Sequence, residues 1–341
     1  MENNPLKKVL VTGATGILGR VIVLNLLKQG HEVKALKRKT SKIEEVKASY
    51  QYYTDQAEDY FAKINWVEAD FNDVNELEQL VNGIDEVYHC AAKVSFNPRD
   101  GKAMYETNFV GTQNLLFACE KSTVKKFCFI SSIAVLDGYN EEGLQDESCD
   151  YNTKLDHSFY AKTKHYSEME VWRASAEGLN VVILNPSVII GTGNWDSSSG
   201  RMFTELAKLP YTTEGTTSYV DVRDVAEIAV KLMDQNIFAE RFIVNAENVN
   251  NHVVANQVRA KLGKSETKNI SKSVLDFGRI LNIALGWLIP SLKMANKSNI
   301  EALTSESKIS NKKIVDRLNY QFIPVQESID FHLNNYIQDK K

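Results

Sequence analysis

Short apolar runs rich in β-branched and aromatic residues alternate with longer stretches of helical spacing through the first half of the chain. The runs fall at residues 9–12, 33–36, 66–69, 87–92, 127–131 and 181–184 and predict strands. Between most of them, residues 20–29, 74–82, 105–121 and 159–176 show helical spacing of their apolar positions and predict helices. Strand–helix–strand alternation implies parallel strands joined by right-handed crossovers, so the expected fold is α/β, a doubly wound parallel sheet. Gly30 ends the first helix where a left-handed cap is needed. Residues 41–63 are charge-rich and predict a helix with a solvated face.

After about residue 190 the rhythm breaks into loop-like stretches, with sheet character returning at 219–222 and 242–245 and helices expected over 250–337. The expected division is a dinucleotide-type domain over 1–190 that also receives 215–248, and a smaller, partly interleaved substrate-binding portion built from 191–214 and 249–341. Trp195, Met202, Phe203 and Tyr211 fit either a substrate pocket or a core.

Composition narrows the class. The chain has 341 residues, with 40 Lys and Arg against 44 Asp and Glu, a net charge of −4. A hydrophobic fraction of 43% excludes a disordered chain, and the lack of a basic excess argues against a nucleic-acid partner. The four cysteines, Cys90, Cys119, Cys128 and Cys149, have no CxxC spacing, so neither a disulfide framework nor a metal site is expected. The polar opening residues carry no secretory pattern, and the most apolar stretch, 280–292, is short for a bilayer span. The expectation is a cytoplasmic protein with free thiols and no integral membrane segment.

The first strand runs into Thr12-Gly13-Ala14-Thr15-Gly16-Ile17-Leu18-Gly19-Arg20, a glycine turn opening a helix. Gly13 permits the sharp turn, Gly16 lets a pyrophosphate approach backbone N–H groups, and Gly19 allows close helix–strand packing. A glycine turn that merely closes the structure is the plainer alternative. After the second strand, where an NAD site would carry a carboxylate for the ribose hydroxyls, stand Lys37, Arg38 and Lys39. A cationic cluster there favours a 2′-phosphate, hence NADP over NAD, with NAD possible and a solvated basic loop as the alternative.

Tyr160 and Lys164 are four residues apart and share a helix face. The fifth strand ends at Ser131-Ser132, at the carboxyl edge that a parallel sheet offers to ligands. A free phenol titrates near pH 10, and lowering it by about three units takes roughly 4 kcal/mol. A neighbouring ammonium and an oxidised nicotinamide would supply that, letting the phenol exchange a proton with a substrate oxygen.

Together with Asp70 after the third strand, Ala91-Ala92 after the fourth, and Asn108-x-x-Gly111-Thr112-x-Asn114-Leu115, these motifs resemble the extended short-chain dehydrogenase/reductase family over about residues 6–235. The resemblance implies a Rossmann fold and nicotinamide redox chemistry. It makes Tyr160 the acid/base, Lys164 the residue that binds the ribose and lowers the tyrosine, Ser132 the partner of the substrate carbonyl, and Asn108 the holder of a relay water. It gives the cofactor Gly13, Thr15, Gly16, Ile17, Leu18, Gly19, Lys37, Arg38, Asp70, Phe71, Ala91, Ala92, Lys93, Ser131, Pro186, Ser187 and Val188. His157 and His165 are read as bystanders.

Within that family, Ile133-Ala134-Val135-Leu136 after the serine lacks the Asp-Glu pair of dehydratases. Residues 184–191 and the basic turn are more similar to the dihydroflavonol-4-reductase-like and 3β-hydroxysteroid-dehydrogenase-like branch than to epimerases. The apolar segment 274–294 fits a buried helix or a lid over a hydrophobic substrate. The expected function is an NADP(H)-dependent oxidoreductase acting on a ketone or aldehyde of a small, rather apolar substrate. An NDP-sugar 4-epimerase with bound NAD and a non-catalytic dinucleotide sensor remain as alternatives. The resemblance also allows a homodimer through the helices at 105–121 and 159–176, or a monomer.

Overall fold

The computed structural model describes residues 6–95, 97–195, 198–271, 273–275 and 304–341. Six strands follow in chain order: β1 (Lys8–Thr12), β2 (Glu32–Lys37), β3 (Asn65–Glu68), β4 (Glu86–His89), β5 (Lys126–Ile130) and β6 (Asn180–Pro186). With a seventh, Glu240–Val244, they form one sheet whose pairings are all parallel. Its spatial order is the seventh strand, then β6, β5, β4, β1, β2 and β3, so the order reverses between β1 and β4. That is the doubly wound, Rossmann-type arrangement, and its ligand crevice lies beyond the carboxyl ends of the strands at the reversal.

Helices cover both faces because the central strands β1, β4, β5 and β6 are buried on both. On one side, Leu18, Val21 and Ile22 of α1 (Ile17–Lys28) pack with Ala226 and Ala229 of the helix Val222–Asp234. On the other, Leu77, Leu115, Leu116, Val171 and Ala174 form a second layer beneath the helices Val74–Val81, Gly111–Glu120 and Phe159–Ala176. A separate core joins Ile190, Trp195, Phe203, Val254, Val258, Ile329 and Leu333. Trp195 and Phe203 are therefore core, whereas Tyr211 is exposed. The C-terminal helix Val325–Asp339 is tied down by buried His332, which bonds Asp221 at 3.1 Å and the Thr192 hydroxyl at 2.7 Å.

Two elements differ from expectation. Residues 41–63 form two helices, Ile43–Tyr50 and Ala57–Ala62, and the first buries Val46 and Tyr50 completely. The Thr54 hydroxyl accepts from the Gln56 N–H at 3.2 Å in the intervening turn, a local bond that competes with helix continuation. The stretch expected as one helix over 105–121 begins as a π-helix, Tyr105–Val110, before Gly111–Glu120. Inside it the Asn108 carbonyl accepts from the hydroxyls of Thr112 and Ser167, at 2.5 and 2.8 Å, which loosens the regular ladder. Of the apolar segment 274–294, everything beyond Leu275 lies outside the described residues. No helix among the described residues is long and apolar enough to cross a membrane.

Candidate active site

Register aligns the strand ends. Thr12 pairs with His89, His89 with Phe129, and Ile130 with Leu184, so the residues just beyond each strand share one edge. Gly13 turns there with φ +64°, and a Cβ on it would lie 2.7 Å from the Ala91 backbone nitrogen. A Cβ on Gly19 would meet the Gly13 carbonyl oxygen at 2.3 Å, so neither Gly13 nor Gly19 can carry a side chain. Gly16 caps α1 without a side-chain bond, leaving first-turn N–H groups at Ile17 and Leu18. A bare, positively polarised helix start behind a glycine cradle fits a dinucleotide pyrophosphate.

Arg20 holds this cradle from behind. Its guanidinium is buried and donates to the carbonyls of Thr15 (2.6 Å) and Gly16 (3.2 Å), and to Asn194 Oδ1 (2.8 Å). Ala91 N–H donates to the Thr12 hydroxyl at 3.2 Å, and Ala92 beside it is exposed. The Thr12 hydroxyl also meets His89 Nδ1 at 2.7 Å, while His89 Nε2 meets Thr112 at 2.8 Å. Burial pulls the His89 pKa down to about 3, so the ring is neutral.

The basic turn is less uniform than its sequence. Lys37, at the end of β2, is ion-paired with Glu68 at the end of β3. Arg38 is exposed; its N–H donates to Ser41 Oγ at 3.0 Å, and Ser41 lies 3.5 Å from the Thr15 hydroxyl. Asp70 is exposed and binds the Asn72 N–H at 2.9 Å, and the neighbouring Phe71 carbonyl accepts from Asn114. Phe71 also sets its ring edge-on to His89, with centroids 5.7 Å apart.

Ser132, Tyr160 and Lys164 meet at the same edge. Ser158 caps the helix Phe159–Ala176 by accepting from the Ala161 N–H at 3.1 Å, which starts the turn that presents Tyr160. Tyr160 is half-buried, and Ser132, whose hydroxyl accepts from the Ala134 N–H at 3.2 Å, is the neighbour that acts on its phenol. Burial pushes the phenol above its ordinary value, and Ser132 offsets part of that. Lys164 is buried, donates to the Ile130 carbonyl at 2.6 Å, and lies 4.1 Å from the centre of the Phe129 ring. Burial lowers its pKa to about 7 despite the opposing charge of Glu168. The ammonium is thus anchored on the strand end, and the group that offsets the burial of the phenol is the serine rather than the lysine.

The two serines part company. Ser131 Oγ donates to Glu168 at 2.6 Å, whereas Ser132 faces Tyr160. Asn108 has its amide engaged throughout: it accepts from the Lys93 N–H at 2.7 Å and donates to the Lys93 carbonyl and the Thr163 hydroxyl, both at 3.0 Å. It clamps the loop after β4 to the tyrosine helix. Lys93 itself pairs with Asp100 at 3.0 Å. Pro186 ends β6, and buried Ser187 donates its N–H to the Val244 carbonyl at 3.1 Å. Val188 is partly exposed and, with Ile133, Tyr139, Gln145, Thr216 and Ser218, lines a groove of about 290 Å³ beside Ser132.

Sequence reasoning missed Arg20, His89, Glu168 and Arg241. Glu168 had one available signal, its position one turn beyond Lys164 on the same helix face. Arg241 had none, because the partners of its guanidinium are 73 and more residues away.

A model of the NAD dependent epimerase/dehydratase family matches residues 9–245. A Synechocystis sp. protein that carries a dihydroflavonol 4-reductase name is 29% identical over 248 residues, covering 70% of this chain and 68% of its own. The sterol demethylase protein B of Methylococcus capsulatus is 30% identical over 244 residues, 70% of each chain. The crystal structure of gox2253 shares the fold, with a TM-score of 0.80 at 24% identity over 98% of both chains.

Proposed function

The chain belongs to the NAD-dependent epimerase/dehydratase family, as an NAD(P)-dependent enzyme of the extended short-chain dehydrogenase/reductase type, and we propose that it is an NADP(H)-dependent reductase interconverting an aldehyde or ketone with an alcohol. The observation that carries this reading is the convergence of Ser132, just beyond β5, with Tyr160 at the start of the helix Phe159–Ala176 and with buried Lys164, which is bonded to the Ile130 carbonyl at the carboxyl edge of the sheet. A nicotinamide dinucleotide along the glycine cradle would supply or accept the hydride. With its pKa above the ordinary phenol value, Tyr160 stays protonated near neutrality and serves as the acid, passing its proton to the substrate oxygen. Ser132 holds that same oxygen, and the Lys164 ammonium stabilises the phenolate left behind. Asn108 keeps the loop at Lys93 against the tyrosine helix. In this reading residues 191–214 and 249–341 form the substrate side, and Ile133 and Val188 offer the apolar wall against which a small carbonyl compound packs.

The test is a panel of aldehydes, ketones and UDP-sugars incubated with NADPH and followed by loss of nicotinamide absorbance. A reductase consumes NADPH with a carbonyl compound. Conversion of a UDP-sugar without net NADPH loss would replace this reading by an epimerase. Tyr160→Phe should lower turnover by about 10²–10⁴-fold while leaving NADPH binding intact. Undiminished turnover in that variant would remove Tyr160 from the chemistry.

A further inference from the structure

Glu168 is buried, which is costly for a carboxylate unless its oxygens are well partnered. One oxygen accepts from Ser131 Oγ at 2.6 Å and from Asn185 Nδ2 at 3.0 Å. The same Asn185 amide donates to the Ser132 carbonyl at 3.1 Å, so both serines of the turn are gripped through this one carboxylate. The other oxygen lies 3.4 Å from Arg241 Nη1. Arg241 meanwhile holds the carbonyls of Glu147 and Cys149, at 2.8 and 2.7 Å, which places the loop ahead of Tyr151 against the same cluster. Lys164 stands one turn earlier on the helix that carries Glu168.

We propose that Glu168 is the positioning residue of the active site: through Ser131 and Asn185 it fixes the Ser131–Ser132 turn, and from one turn away on the same helix it is the carboxylate that keeps Lys164 charged. This rests on the reading of Ser132, Tyr160 and Lys164 as the catalytic group. The groups facing Lys164 are Glu168 on its own helix, the neutral His89 ring at the end of β4 and the Cys90 thiol just after it, and the Ile130 carbonyl and Phe129 ring of β5. Those facing Glu168 are Ser131, Asn185, Arg241, Lys164 and the His165 imidazole. Of the charged groups acting on Lys164, Glu168 has the largest effect in keeping it protonated.

The experiment reads Lys164 directly, by NMR titration of the full chain labelled with ¹³C-lysine, the signal being assigned with Lys164→Met. Glu168→Gln should lower the Lys164 midpoint by about one pH unit, because an opposing charge is removed. Arg241→Met should raise it, because the cation that shares Glu168 is gone. The pH profile of kcat should follow the same two directions with KM for NADPH unchanged, and Glu168→Asp should recover part of the wild-type profile. An unmoved midpoint in Glu168→Gln, or shifts of the same sign in both variants, overturns the proposal. If Glu168→Gln does not fold, Arg241→Met decides: a raised midpoint supports the role and an unmoved or lowered one refutes it. Turnover that survives Tyr160→Phe would instead overturn the catalytic reading, and it leaves the Lys164 titration result standing by itself.

Discussion

In the proposed NADP(H) reading the 2′-phosphate falls to Arg38, and replacing it with alanine should cost NADPH about tenfold in affinity while sparing NADH. Of the three cations at the end of β2, Lys37, Arg38 and Lys39, the first is committed to Glu68 across the sheet edge. The Arg38 guanidinium has no hydrogen bond or ion pair with the described residues, and its backbone is set by Ser41 beside the Thr15 hydroxyl of the glycine loop. A guanidinium fork on a phosphate forms charge-assisted bonds of about 1.5–3 kcal/mol each. Arg38 is exposed, so screening places the net loss near the lower end, about 1.5 kcal/mol, which is roughly tenfold in Kd. NADH offers no 2′-phosphate, so its affinity should stay within about twofold in the same variant.

The ion pair sharpens the test by predicting an opposite sign at its other end. Glu68→Gln removes a carboxylate from the phosphate's surroundings and frees Lys37, so NADPH should bind more tightly and NADH should not. Fluorescence titration of both cofactors at one fixed ionic strength reads both variants. Equal NADPH and NADH affinities in the unmodified protein would refute the 2′-phosphate argument outright. An Arg38→Ala change that weakens both cofactors alike would refute the assignment to Arg38.

Two other expectations follow from buried and exposed aromatic groups. The folded His89 titrates at about 3 against an ordinary 6.5, so its share of stability is present above pH 6.5 and is lost as the pH falls toward 3. By pH 5 the loss amounts to roughly 2 kcal/mol; urea unfolding at pH 7 and 5 should show His89→Gln losing about that much less than the unmodified protein, and an identical loss in both would refute it. Tyr105, Phe117, Tyr166 and Met169 leave an exposed apolar stripe on the two helices expected to pair in a homodimer. Light scattering should then find a dimer at micromolar concentration and a monomer for Tyr166→Glu; a monomeric unmodified chain would sink the idea.

The sheet was legible because buried parallel strands are continuous apolar runs, and the six runs read from sequence overlap β1–β6 with ends differing by a few residues. The helix Phe159–Ala176 matches its expected span. Periodicity failed at 41–63 and within 105–121 for a shared reason. In both places polar groups within reach, Thr54 in one and Thr112 with Ser167 in the other, compete for backbone partners without disturbing the apolar spacing. The apolar pattern therefore looks the same whether the helix is broken, widened or regular.

The polar scaffolding behind the site was out of reach for a different reason. Arg20 reaches Asn194 across 174 residues, and His332 reaches Asp221 across 111. Such contacts carry no local period, and a buried arginine in an apolar helix reads as a lone charge. They nevertheless decide where the glycine cradle sits, because Arg20 bonds the carbonyls of Thr15 and Gly16 while Asn194 anchors its other side. Thr192, two residues earlier in that loop, is held by His332 of the C-terminal helix. The chain of contacts runs from the C-terminal helix through the 192–194 loop to the turn that would hold the cofactor's phosphates. The motif residues can touch a ligand only in a frame set by residues from both ends of the chain, and that dependence explains why the motifs were readable while their supports were not.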